Sequence, residues 1–137
     1  MSGFELDALR GHPDQGPVTM LNLLKFRPQS LDGSGTGQEA YGRYAEVAQR
    51  LVHERGGHVI WAGRVDQAAL IEGGDARWDV AMLVYYPGRA AFLDMVTSPE
   101  YQRANLDRQN GLERHVVLAA TTVIAGAYPG VSPSPPR

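Results

Sequence analysis

From Pro17 to Phe26 the chain reads PVTMLNLLKF, apolar at nearly every position and flanked by helix breakers, which predicts a strand buried on both faces. Asn22 interrupts the run. Between Gln38 and Arg55, Tyr41, Tyr44, Ala45, Ala48, Leu51 and Val52 recur at three- and four-residue spacing, while Arg43, Glu46, Gln49, Arg50 and Glu54 fall mostly opposite. That spacing predicts an amphipathic helix, closed by Gly56-Gly57. His58 to Val65 alternates as a second strand, with Val59, Trp61 and Val65 on one side, His58, Ile60 and Arg64 on the other, and a bulge expected at Gly63. The segment Asp66 to Glu72 can extend this strand past the bulge. After a turn at residues 73–77, Trp78 to Tyr86 is a third strand, so strands two and three form an antiparallel hairpin. Pro87-Gly88 ends it, and Arg89 to Val96 has helical spacing. Ser98 as N-cap and Pro99 at the first helical position restart a helix through about Gln109, closed by Asn110-Gly111. His115 to Ala125, β-branched and apolar, is the fourth strand.

The order strand, helix, strand, strand, helix, strand predicts an α+β chain of ferredoxin-like βαββαβ topology, with two helices on one face of a four-stranded antiparallel sheet. The first and fourth strands are apolar on both sides, so the other face also needs a cover. A second subunit, sheet against sheet, would supply it and make a dimeric α/β barrel. Residues 1–16 read as an N-terminal strap with Phe4, Leu6 and Leu9 in a short helical turn, 17–127 as the ferredoxin-like domain, and 128–137 as a Pro-rich extended tail.

Composition narrows the function. At 137 residues with 43% hydrophobic and 20% charged positions, one globular domain is expected. Thirteen Lys and Arg against fifteen Asp and Glu, with the basic residues scattered, leave no footprint for nucleic acid or anionic lipid. Cysteine is absent, which removes disulfides, thiolate metal sites and thiol nucleophiles. The N-terminus lacks the pattern of a signal peptide and no apolar run is long enough to span a bilayer, so a cytoplasmic location is expected.

Five stretches carry a family resemblance: Met20-Leu21-Asn22-Leu23-Leu24-Lys25-Phe26, Tyr41-Gly42-Arg43-Tyr44, Trp61-Ala62-Gly63, Trp78-Asp79 with Tyr86-Pro87-Gly88-Arg89-Ala90-Ala91-Phe92, and Ser98-Pro99-Glu100-Tyr101-Gln102 running on to Arg108 and Gly111-Leu112-Glu113. From Pro17 to Thr121 the chain resembles the domain-of-unknown-function 1330 family, a branch of the dimeric α/β-barrel superfamily. The resemblance implies the fold and a homodimer. It leaves the activity open, because related barrels include cofactor-free monooxygenases, isomerases, lyases, haem enzymes and plain ligand binders. Gly88 and Asp107 depart from the family pattern, where Ser and His are expected.

Candidate chemistry rests on polar residues in apolar elements. A carboxamide inside an apolar strand must be hydrogen-bonded or cost roughly 1–3 kcal/mol, so Asn22 either meets a ligand carbonyl in the barrel lumen or bonds a neighbouring loop. His58 is a candidate general base, on the opposite strand face from Trp61 unless the pleat is distorted. Trp61 would be an apolar wall for an aromatic ligand, or ordinary core. Arg89, at a strand-to-helix junction, would clamp an anion or pair with Glu100 or Asp94. Tyr101 and Arg108 share a helix face and would line one rim, Arg108 holding an anion; Tyr41 and Tyr44 share another. The Gly33-to-Gly37 loop lacks the spacing of a phosphate cradle, and His12, His53, His58 and His115 lack metal-ligand spacing. The expectation is a small-molecule enzyme of isomerase, lyase or monooxygenase type, working without cofactor or metal on a carbonyl-bearing or aromatic metabolite. A noncatalytic binding or assembly role is the alternative.

Overall fold

The computed structural model describes residues 3–126. Its elements are α1 (Leu6–Gly11), β1 (Val18–Phe26), α2 (Gly37–Glu54), β2 (His58–Arg64), β3 (Val80–Tyr86), α3 (Arg89–Val96), α4 (Pro99–Gly111) and β4 (Leu112–Ala120). The strands form one antiparallel sheet in the order β2-β3-β1-β4, the ferredoxin-like arrangement expected from the sequence. The expected tail, 128–137, lies outside the described residues. No helix among them is long and apolar enough to cross a membrane.

Local chemistry sets the helix boundaries. Thr36 caps α2: its Oγ1 accepts from the Glu39 N–H at 3.0 Å and Glu39 Oε1 accepts from the Thr36 N–H at 2.9 Å. Ser98 Oγ accepts from the Tyr101 N–H at 3.2 Å at the head of α4, with Pro99 in the first turn. Helices α2 and α4 lie side by side, and where Gly37 meets Gly111 the two backbones touch: a Cβ on Gly111 would stand 2.8 Å from the Tyr41 nitrogen and against the Gly37 carbonyl. Gly88 caps α3 without a side chain, and a Cβ there would stand 2.8 Å from the Gln15 carbonyl, so the incoming N-terminal segment occupies the room a serine would need.

Strand alternation divides the sheet. On one face Val18, Met20 and Val84 join Tyr44, Leu51, Val52, Phe92, Val96 and Tyr101 in the core under the helices. On the other, the cross-strand rows Leu21 with Leu83 and Leu118, and Leu23 with Ala81 and Val116, present apolar side chains away from the helices. Leu118 is 51% and Trp61 36% exposed.

The second strand differs from its expected pleat. The bulge falls between Val59 and Trp61 rather than at Gly63, so both Ile60 and Trp61 stand opposite Leu83. His58 and Trp61 therefore share the face turned away from the helices. The strand also stops at Arg64; residues 65–79 form a loop pinned at its far end, where the Arg114 guanidinium stacks 4.2 Å from the Trp78 ring centre and bonds Asp75 at 3.1 Å. The fourth strand runs from Leu112 to Ala120 rather than to Ala125.

Candidate active site

Between the core face of the sheet and helices α2 and α4 lies a cavity of about 420 Å³, in the size range of small-molecule pockets. Met20, Val59, Met82, Val84 and Val117 make its floor, and α2 supplies Tyr41, Tyr44 and Ala48. The segment before β1 closes part of it: Phe4 lines the cavity, with its ring 6.2 Å from those of Phe92 and Tyr101. That segment is held by Arg89, 3% exposed, whose Nη1 donates to the Asp14 carbonyl at 2.7 Å.

One end of the cavity is polar. Asn22 lies on the same side of β1 as Met20, facing the helices rather than a space between two sheets, because Val18, Met20 and Asn22 alternate onto one face. Its Nδ2 donates to the Met20 carbonyl at 3.2 Å, which turns Oδ1 toward His115 Nε2, 2.9 Å away. Arg108 Nη1 lies 3.0 Å from His115 Nδ1, and Arg108 Nε donates to Asn105 Oδ1 at 2.6 Å. Arg108 also stacks 5.4 Å from the centre of the Phe4 ring.

Charge states follow from burial. Desolvation, with Arg108 repulsion added, pushes the His115 imidazole down to about 3, so it is neutral near pH 7. Burial pushes the Tyr41, Tyr44, Tyr86 and Tyr101 phenols up, and each stays protonated. Tyr44 and Tyr101 share a hydrogen bond of 2.8 Å between their hydroxyls. The cavity thus joins apolar and aromatic walls to one end rich in N–H and O–H donors, an arrangement able to hold a flat molecule by a carbonyl or anionic oxygen.

Of the residues singled out in the sequence, Asn22, Arg108, Tyr44 and Tyr101 meet around this cavity. His58 and Trp61 do not: His58, before the bulge, stands on the opposite face with its ring 5.2 Å from the Tyr85 ring, and the bulge turns Trp61 to that same face. Arg89 anchors the N-terminal segment and pairs with neither Glu100 nor Asp94, which bond Arg50 and Arg55. His115 joins the group although its spacing to the other histidines gave no reason to choose it. Among the described residues, no group of three or more His, Asp or Glu is placed to hold a metal ion.

Residues 34–122 match the model of a domain of unknown function, DUF1330. The chain is similar to a solved protein of unknown function from Rhodopseudomonas palustris, 32% identical over 86% of this chain and 91% of that one, with a TM-score of 0.78. It shares its fold with a dimeric protein of unknown function from Bacteroides fragilis (15% identity, 79% of this chain, 98% of that one, TM-score 0.54). A DABB-family protein of ferredoxin-like fold from Mesorhizobium loti is similar in the same way (14% identity, 80% and 99%, TM-score 0.53). No curated protein matches the chain.

Proposed function

The chain belongs to the DUF1330 family, and on that footing we propose that it is an enzyme that binds a carbonyl-bearing or aromatic metabolite in the cavity between its sheet and α2/α4. The observation that carries this reading is the polar end formed by Asn22, His115 and Arg108 in an otherwise apolar and aromatic space. Asn22 Nδ2 would polarise the ligand carbonyl, Arg108 would hold an anionic group, and the Tyr44–Tyr101 pair would give a proton to a developing oxyanion. All three roles use the chain's own side chains, without a cofactor.

The test is a resonance-by-resonance NMR titration with a panel of aromatic aldehydes, ketones and acids, followed by incubation of the binders and product analysis. Shifts centred on Asn22, Tyr44, Tyr101 and Arg108, with turnover abolished in the Asn22→Leu/Arg108→Leu double variant, support the proposal. Shifts confined to Trp61 and His58 on the far face, or turnover that survives the double variant, remove it.

A noncatalytic binding role has one specific observation in its favour: both ring nitrogens of His115 are engaged, so the imidazole offers no lone pair as a base. In that case a panel member binds at the same residues and is recovered unchanged.

We also propose that the protein is a homodimer that buries the face carrying Trp61, Leu83 and Leu118. The exposed apolar side chains of Leu118 and Trp61, turned away from the helices, support this. The similar Bacteroides fragilis protein is dimeric.

A further inference from the structure

The hydrogen bonds at the polar end of the cavity run in one direction. Arginine can only donate, so Arg108 requires His115 Nδ1 to accept, and a neutral imidazole that accepts at Nδ1 carries its proton on Nε2. From the other side, the Met20 carbonyl can only accept, so it requires the Asn22 amide nitrogen, which leaves Oδ1 to receive a proton from His115. Two independent ends therefore select the same tautomer. The chain Arg108 to His115 to Asn22 delivers N–H groups only, and the second Nδ2 hydrogen of Asn22 remains for a ligand.

A second observation concerns charge. Arg108 is partly buried beside the cavity, yet it makes no ion pair among the described residues, whereas Arg43, Arg50, Arg55 and Arg114 all have carboxylate partners. Glu5, at the exposed rim, is the acidic residue among those lining the cavity. A guanidinium in a mainly apolar space without a counter-ion is a place where an anion gains more than it would in water.

We infer that this end of the cavity is a receptor for an anionic oxygen, carboxylate or phenolate, on a flat apolar body, and that His115 is the positioning residue that sets the preference. This rests on reading the cavity as the ligand site and goes further by making the anionic oxygen a requirement and by giving His115 the positioning role. A neutral amide of the same shape would place an N–H against the donors and leave Arg108 without a counter-charge.

The experiment compares 2-naphthoate, 4-nitrophenolate and neutral 2-naphthamide by calorimetry on the full chain, with ¹⁵N spectra of His115. The expected results are an Nε2-protonated His115 near pH 7 and at least about tenfold tighter binding of an anionic probe than of the amide. 4-Nitrobenzoate, which keeps the nitrophenyl body, is then compared with 4-nitrophenolate at a pH where both are ionised, and the tighter binder of the two names the oxygen as carboxylate or phenolate. Asn22→Asp, which turns a donor into an acceptor without changing size, should weaken the anions at least about tenfold. His115→Leu should remove the discrimination while naphthamide still binds, and His115→Gln, which can accept and donate in the same order, should restore it. An Nδ1-protonated His115, or equal affinity for naphthoate and naphthamide at a site that includes Asn22, overturns the inference while the cavity stands as a ligand site. No perturbation of Asn22, His115 or Arg108 by any of the three probes overturns both.

Discussion

A histidine held between an arginine donor and a carboxamide acceptor is costly to protonate, and this shapes the pH dependence of stability. The imidazole of His115 sits at about 3 in the folded chain against 6.5 when unconstrained. Above pH 6.5 neither state holds the proton. Between 6.5 and 3 the unfolded chain takes it up and the folded chain does not, so stability falls with falling pH, by about 1–2 kcal/mol at pH 5. The low-lying carboxyls of Asp32 and Asp75 contribute only at the acid end of that window and below it, since their unfolded counterparts titrate near 3.8, and they leave the comparison at pH 5 almost untouched. Urea denaturation at pH 7.5 and pH 5.0 should show this loss in the natural chain and a clearly smaller one in His115→Gln. Asn22 was legible in the sequence because a carboxamide inside an apolar strand demands a partner. The partner was not, because His115 lies 93 residues away and becomes a neighbour only once β1 and β4 pair. Pairing these strands and counting alternate residues from Leu24 opposite His115 to Asn22 opposite Val117 would have found it.

At the scale of elements, the cavity depends on how closely α2 and α4 approach. Gly111→Ala would drive a methyl group against the Gly37 carbonyl and the Tyr41 nitrogen, part the helices that carry Tyr41 and Arg108, and cost about 1–3 kcal/mol. Both a lowered urea midpoint and weakened probe binding are expected. Thr36→Ala, at the capping box of α2, should cost about 1 kcal/mol of stability. Its effect on ligand affinity should be small, because no atom of Thr36 lines the cavity. The helices were readable from spacing: Tyr101 and Arg108, two turns apart on α4, do face the same space. Strand β2 misled because a bulge adds a residue without a required sequence mark. Its position one step before Trp61 reverses every face assignment that follows.

For the whole molecule, the alternation along β1, β3 and β4 gives one face to the helices and leaves another of Leu21, Leu23, Leu83 and Leu118. Light scattering on the purified protein should give the mass of two chains, and Leu118→Arg, at a half-exposed position, should reduce it to one while leaving the helical circular dichroism unchanged. A monomer in the natural chain would withdraw the dimer. The topology could be read from the sequence, since it follows from the periods 3.6 and 2. Which layer holds the cavity could not, because an apolar strand buried on both sides looks the same from either face.

The pairing of β1 with β4 also has a consequence in time. His115 is made some ninety residues after Asn22, so the polar end of the cavity cannot exist on a nascent chain until β4 has left the ribosome and zipped beside β1. Contacts of such long sequence separation are generally slow to form. In refolding, recovery of probe binding should therefore trail recovery of helix content, and a chain truncated before residue 112 should lack the capacity to bind. Ligand binding thus doubles as a report that β4 has docked beside β1.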